Sequence, residues 1–309
     1  MSKQKKKSEI KGGFLSFLAG FILLLVIAVF AADKLGIFSI EDLKSLISPG
    51  STTVSDDLTV HFINVGQGDS SLIISEGEAM LIDTGEKEYS DTVLEYMEEQ
   101  GVKKLDYLVL SHPHSDHMGG AANIINGIEV ENVIAPRLSD KMTPDTKVYE
   151  KFLDAVEDNG LKITKAVPGD KYEVGQAEAE ILSPVEDDYS DLNDWSAAVL
   201  LKHGEDSFLF TGDITSKVEN DIIKDGRLER IDVLKVAHHG SKTSSGKKFL
   251  ELVSPEYGVI MCDGTSYNHP NDEIVKRLEK YGVKIYRTDL NGTIVFTSGK
   301  DGLSVKAER

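Results

Sequence analysis

The chain has 309 residues, 40% of them hydrophobic and 28% charged, with a formal net charge of −18. That composition supports a folded body with a sizeable core and excludes a disordered polyelectrolyte. So acidic a chain repels polyanions at long range, which excludes a passive nucleic-acid-binding module but not a nuclease whose metal ions supply local positive charge. The single cysteine, Cys262, excludes an intrachain disulfide framework and any CxxC motif, and reads as a small core residue.

Residues 1–13 carry Lys3, Lys5, Lys6, Lys7 and Lys11 against Glu9, about +4, which leaves about −22 on the rest. Residues 14–32, FLSFLAGFILLLVIAVFAA, are uncharged and long enough to cross a hydrocarbon core of about 30 Å at about 1.5 Å per residue. With the lysines ahead of it, the segment reads as a membrane anchor with a cytoplasmic tail and an exported body. A signal peptide cleaved near Val29-Phe30-Ala31 is the alternative. Residues 33–57 read as a stalk closing in the breaker run Ser48-Pro49-Gly50-Ser51.

From Leu58 to Arg309 strands and helices alternate. LTVHFINV, SLIIS and AMLIDTG read as strands, SDTVLEYMEEQG as a helix stopped by Gly101, and LDYLVLSH as an apolar strand. A helix follows over MGGAANIING, a short strand over NVIAP, and a helix over TKVYEKFLDAVEDNG closed by Gly160. ITKAV, KYEV, AEAEILSP, AAVLLKH and SFLFTGD are strands. Helices at SKVENDIIKDG, GKKFLELVSP and NDEIVKRLEKYG flank a strand and loop at DVLKVAHHG and a strand at YGVIMC, and KIYRTDL and GTIVFTS finish the chain as strands. Grouped strands with interspersed helices imply an α/β sandwich of two sheets with helices outside, in one domain.

The strand LDYLVLSH runs into Ser111-His112-Pro113-His114-Ser115-Asp116-His117-Met118-Gly119-Gly120. His112 and His114 are two apart, so extended backbone puts both side chains on one side. Asp116 and His117 follow where a helix should start and point in different directions, so they can reach a second ion beside the first. Imidazole and carboxylate donors suit Zn²⁺, Mn²⁺ or Fe²⁺. Gly119 and Gly120 leave room for close backbone or substrate.

These residues resemble the HxHxDH signature of the metallo-β-lactamase superfamily, and the resemblance covers residues 58 to about 300. It implies a four-layer αβ/βα sandwich and a hydrolase with two divalent ions, Zn or Mn. It further implies that Asp213, in Thr211-Gly212-Asp213, bridges both ions, and that His238-His239-Gly240-Ser241 supplies the last ligand. Either histidine can serve, with His238 the first choice. By the same resemblance Asp83, before Gly85, orients a ligand histidine or the motif loop, and Gln67, Gly68 and Asp69 lie near the metal mouth. More narrowly the chain resembles the hydrolase domain of ComEC competence proteins, through Asn64-Val65-Gly66-Gln67-Gly68-Asp69-Ser70, Asn193-Asp194-Trp195-Ser196, Leu234 to Ser241 and Asn268-His269-Pro270. It has neither the many membrane helices nor the OB-like domain of those proteins, so it is not expected to be the DNA-uptake channel.

One departure matters. Most of the superfamily has a further ligand histidine before the bridging aspartate, and here only His203 lies between Met118 and Gly212. A hairpin turning at Gly204-Glu205 pairs His203 with Asp206, far from Asp213, and brings Asn193, Asp194 and Ser196 next to the site. His203 is then an exposed turn residue. With Asp213 bridging as the resemblance implies, the first ion is expected to have His112, His114, Asp213 and water or a weak oxygen ligand, and to bind more loosely. The second has Asp116, His117, Asp213 and His238. The expected reaction is attack by a metal-bridging hydroxide, with Asp116 accepting the proton and His269, or the free member of His238 and His239, serving the leaving group. The expected substrate class is a phosphodiester such as DNA. A lactam, lactone or thioester, or a non-catalytic tethered binding role, are the alternatives. His61 reads as a half-buried sheet residue.

Overall fold

A computed structural model describes residues 57–309, which belong to one compact unit. The tail, anchor and most of the stalk expected from the sequence lie outside the described residues. No helix among the described residues is long and apolar enough to cross a membrane.

Alternating side chains build the first sheet. In β1 (Leu58–Phe62), Leu58, Val60 and Phe62 face inward at 0% exposure, while Thr59 and His61 take the other face. β2 (Ser71–Ser75) and β3 (Glu78–Ile82) form a hairpin. Glu76 and Gly77, both with positive φ, make its two-residue turn. β4 (Lys104–Val109), β5 (Glu129–Ala135) and β6 (Ile163–Lys165) continue it in parallel. β14 (Ile294–Gly299) and β15 (Gly302–Ala307) complete eight strands in the order β15-β14-β1-β2-β3-β4-β5-β6.

The second sheet has seven strands: β7 (Lys171–Val174), β8 (Ala177–Ile181), β9 (Val199–His203), β10 (Asp206–Phe210), β11 (Val233–Lys235), β12 (Tyr257–Ile260) and β13 (Lys284–Arg287). Their order is β13-β12-β11-β10-β9-β8-β7. The sheets enclose a core that includes Phe62, Met80, Val199, Phe208, Phe210 and Phe296. Each fully buried side chain of this size contributes about 1.5–3 kcal/mol.

Helices cover both outer faces, which makes the four layers. On the first sheet, α1 (Ser90–Glu99) buries Val93 and Met97, four residues apart. α2 (Ser115–Met118), α3 (Ala121–Gly127) and α4 (Lys147–Asp158) pack beside it, the last capped where Thr146 accepts from Tyr149 N. On the second sheet, α5 (Ser216–Asp225), α6 (Lys247–Val253) and α7 (Asp272–Lys280) bury Val218, Ile222, Phe249, Ile274 and Leu278.

Two expectations fail near the C-terminus. The strand KIYRTDL stops at Arg287, and Thr288–Asn291 forms a short helix, α8. Thr288 Oγ1 bridges both backbone groups of Cys262, and Asn291 Oδ1 accepts from Arg287 N, so local side chains capture the backbone. The chain also does not finish at GTIVFTS. It returns as β15, an edge strand whose alternate residues are exposed, so its sequence reads as a polar tail.

Candidate metal centre

The site forms where several strands of both sheets end. The residues after β3 supply Asp83, those after β4 supply His112 to His117, those after β10 supply Asp213, and those after β11 supply His238 and His239. Loops after β1 and β12 close the rim. Asp116 and His117 sit on α2, so the motif does turn into a helix there. Gly119 and Gly120 serve close backbone packing rather than substrate: a Cβ at either would meet Ser115 O or Thr84 O.

Asp116, His117, Asp213 and His239 bring one ligand atom each within 4.8 Å of one another. Their orientation follows from their partners. His117 Nδ1 lies 2.9 Å from Asp83 Oδ2, and His239 Nδ1 lies 2.9 Å from Met261 O. Both partners only accept, so both rings donate from Nδ1 and turn Nε2 inward. His239 Nε2 is 3.2 Å from Asp116 Oδ2 and 3.6 Å from Asp213 Oδ2. His117 Nε2 is 3.2 Å from Asp213 Oδ1, yet both atoms are buried without a hydrogen bond. Lone pairs facing one another at that range fit a shared cation, and the donor set fits a divalent ion such as zinc or manganese.

Asp83 fixes more than His117. Its carboxylate accepts from Ser111 N and Ser111 Oγ, both at 2.7 Å. With its proton on Asp83, Ser111 Oγ can only accept from His112 Nδ1, 3.0 Å away. Ser196 Oγ lies 3.3 Å from the same nitrogen and accepts from Asp213 N at 3.1 Å. His112 Nε2 thus faces outward, 2.9 Å from His114 Nδ1. The hairpin of β9 and β10 pairs His203 with Asp206, as the sequence register requires. His203 is half-buried against Ser298 Oγ rather than exposed, and it does not reach Asp213.

The histidine pair resolves by backbone. His238 and His239 both adopt left-handed φ, 54° and 52°, and this strained turn splays the rings to an interplanar angle of 78°. The sequence favours His238. The structure instead puts His239 in the cluster at 1% exposure and leaves His238 at the rim, with Nε2 3.6 Å from Asp213 Oδ2 and Nδ1 3.4 Å from Thr243 Oγ1.

The remaining residues singled out in the sequence share the rim. Gln67, Asn193, Ser241 and His269 line the same open cavity of about 470 Å³. Gln67 Nε2, Asn193 Oδ1 and His269 Nδ1 are buried polar atoms without a partner. Ser241 Oγ contacts Thr243 Oγ1 at 3.0 Å. Asp69 is buried behind the cluster, its N donating to Asp116 O at 3.1 Å, an approach that Gly68 permits because a Cβ there would strike the same carbonyl.

Sequence reasoning missed Lys235. It is 2% exposed, contacts Asp69, and donates to Gly212 O at 3.0 Å. Burial opposes its charge, but Asp69 and Asp213 raise its pKa above the ordinary lysine value. A lysine inside the apolar run Val233-Leu234-Lys235-Val236-Ala237 is a signal that could have found it.

The electrostatics favour a cation. Burial works against the charge of Asp213, but His117, His239 and Lys235 outweigh it and hold its carboxyl well below the usual range. Burial would lower His117, but Asp213, Asp69, Asp83 and Asp116 raise it well above an ordinary imidazole. Burial and the neighbouring His117 push His112 well down, and Asp213 and Asp116 offset only part of that. Burial, with His238 and His239 nearby, pushes His269 down to about 4.

Fold and site together define a metal-dependent hydrolase. The chain belongs to the metallo-β-lactamase superfamily, whose family model, "Metallo-beta-lactamase superfamily", matches residues 63–264. It is similar to ComE operon protein 3 of Bacillus subtilis (strain 168), 29% identical over 262 residues, covering 79% of this chain and 33% of that protein. It is likewise similar to Competence protein ComA of Neisseria gonorrhoeae, 32% identical over 252 residues and covering 80% and 33%, and to Recombination protein 2 of Haemophilus influenzae (strain ATCC 51907 / DSM 11121 / KW20 / Rd), 30% identical over 259 residues and covering 81% and 30%. The chain spans about a third of the length of these relatives. Among solved structures, YhfI from Bacillus subtilis superposes with a TM-score of 0.51 at 16% identity, covering 79% of this chain and 100% of that one. CmlA, a diiron beta-hydroxylase from Streptomyces venezuelae, superposes at 0.51 and 14% identity, covering 80% and 57%. At these identities the likeness concerns the fold.

Proposed function

We propose that this chain is a metal-dependent phosphodiesterase acting on DNA or a chemically related phosphodiester, displayed outside the membrane on an anchor at residues 14–32. The observation that carries the reading is the convergence of His117 Nε2, His239 Nε2 and the carboxylates of Asp116 and Asp213 at the floor of an open polar cavity. Asp116, His117, Asp213 and His239 would hold one zinc or manganese ion, and His112, His114 and Asp213 the other. When bound, such ions lower the pKa of water towards about 7 and stabilise the negative charge that develops at the reacting centre.

The chain's own residues do the rest. Asp83 and Met261 O hold His117 and His239 in the tautomer that presents Nε2. The Asp116 carboxylate, 23% exposed, reaches the cavity and can accept the proton lost by the attacking water. His269 and His238 line the cavity on the side of the loop after β12, where either ring can hydrogen-bond a leaving oxygen. Two facts support a phosphodiester over a carboxylic centre. Phosphoryl transfer is met largely by positioning and by charge stabilisation, which this cluster is built to supply. Two of the similar proteins carry names from competence and recombination, both processes of DNA. The uncharged run at 14–32 and the lysines before it support the outward display.

The test is nucleotide release from labelled single- and double-stranded DNA by the purified full-length chain, metal-free and with Mn²⁺ or Zn²⁺, beside His114→Ala and Asp213→Ala. Metal-dependent release, lost in both variants, is expected. No release from a chain that still binds metal would overturn the phosphodiester reading and turn attention to lactones and thioesters. A reporter fused after Arg309 tests the display: it should be protease-sensitive in intact cells, and protection would contradict the outward orientation.

A further inference from the structure

Among the described residues, Tyr267 is the one aromatic side chain that stands out as exposed, at 82%. It lines the metal cavity and lies outside the segment matched by the family model. Its ring centroid is 6.1 Å from that of His269, which in turn is 6.2 Å from His239. Tilted rings thus connect His239 in the metal cluster, through His269, to the exposed Tyr267.

The exposure is enforced. Tyr267 and Asn268 both hold left-handed φ, 54° and 57°, a conformation costing roughly 1–2 kcal/mol for an L side chain. Asp263 clamps the loop by accepting from Thr265 N at 2.8 Å, Ser266 N at 2.7 Å and Ser266 Oγ at 2.6 Å. His269 N returns to Ser266 O at 2.9 Å, and Asn271 N is tied to Gly240 O at 3.0 Å, next to the ligand turn. A strained loop that presents a bare aromatic face to water gains no burial from it, which directs attention to a ligand.

The cavity also lacks what usually holds a polyanion. No lysine or arginine lines it, and the chain as a whole is strongly acidic. Beyond the metal cluster and neutral polar groups such as Gln67 and Asn193, what the cavity offers a nucleic acid is the exposed Tyr267 ring, against which the uncharged face of a base can lie. Building on the phosphodiester reading, we propose that Tyr267 is a stacking platform for the nucleobase flanking the scissile phosphodiester of a single-stranded nucleic acid. Duplex bases have their faces occupied by neighbours, so the platform selects unpaired strands and frayed ends.

The experiment compares kcat/KM of the full-length chain, in Mn²⁺, on a short oligothymidylate and on an abasic oligomer of equal length. The ratio of the two isolates the base from the backbone. In Tyr267→Leu the ratio should fall about tenfold, and in Tyr267→Trp it should stay within about twofold of wild type. A wild-type ratio in Tyr267→Leu, or an equal fall in Tyr267→Trp, would overturn the platform while leaving the phosphodiester reading intact. Absence of cleavage of either oligomer by the wild-type chain would remove the phosphodiester reading and the platform with it.

Discussion

The two halves of the candidate metal centre are built differently. In the deep half His117, Asp213 and His239 are 0–2% exposed, and each imidazole is turned inward by an acceptor on its far side. In the open half His112 is buried and oriented by hydroxyls, but His114 is only half-buried and its ring nitrogen meets only His112. His203 does not reach that side, because it sits at the turn of the β9–β10 hairpin. Similar donor types thus give a pre-organised half and a permissive one. The difference comes from the groups behind the ligands, which set how much freedom is lost when an ion binds.

The largest effect belongs to Asp213, the carboxylate of the buried cluster that the proposed function assigns to both ions. Asp213→Ala should cut metal-dependent hydrolysis by roughly 10²–10³-fold, read as initial rates at saturating metal. A variant that kept its activity would break the comparison at its root.

A second test asks whether partners or burial set the state of a histidine. His61, like His117, is a buried histidine, but it faces only Tyr96 OH and Thr59 Oγ1, at 2.8 and 2.9 Å. Burial therefore pushes its pKa down to about 4 from 6.5, opposite in direction to His117. Below pH 6.5 the unfolded chain binds the proton and the folded chain does not, so stability falls as pH drops towards 4. The loss from this one group reaches about 3 kcal/mol. Denaturant unfolding at several pH values should show a shallower acid loss in His61→Gln than in wild type. An equal slope would place the effect elsewhere.

Next in size is Asp83→Asn, which should weaken metal binding roughly 10–100-fold. Because Asp83 orients His117 directly and His112 through Ser111, the loss should appear in both halves, by competition with a chelator. A loss confined to one half would sever the proposed link. The smallest effect is at the rim. Tyr267→Gly should be more stable than Tyr267→Ala by about 1 kcal/mol, because glycine accepts the left-handed backbone freely. Thermal unfolding of the pair measures the strain stored in the loop.

Much of this architecture was legible in the residues. The ligand cluster His112 to His117 is local, and the register of the β9–β10 hairpin follows from its turn, so the placement of Ser196 beside Asp213 could be worked out on paper. What escaped depends on neighbours distant in sequence. The placement of His239 rather than His238 in the buried cluster rests on Met261 O and on a left-handed turn that no spacing rule reveals. Lys235 was hidden because its partner Asp69 lies on the other sheet's loop. β15 was missed because an edge strand exposed on one face lacks the apolar density that marks a strand. Tyr267 was visible as a letter, but its exposure is a property of the clamped loop around it.

The most direct test of the two-half account is a metal-binding isotherm of the full-length chain beside His239→Ala, His238→Ala and His114→Ala. The account predicts one tight and one loose ion in the wild type, loss of the tight ion in His239→Ala, loss of the loose ion in His114→Ala, and retention of the tight ion in His238→Ala. Two equivalent ions in the wild type, or loss of the tight ion in His238→Ala with its retention in His239→Ala, would contradict it.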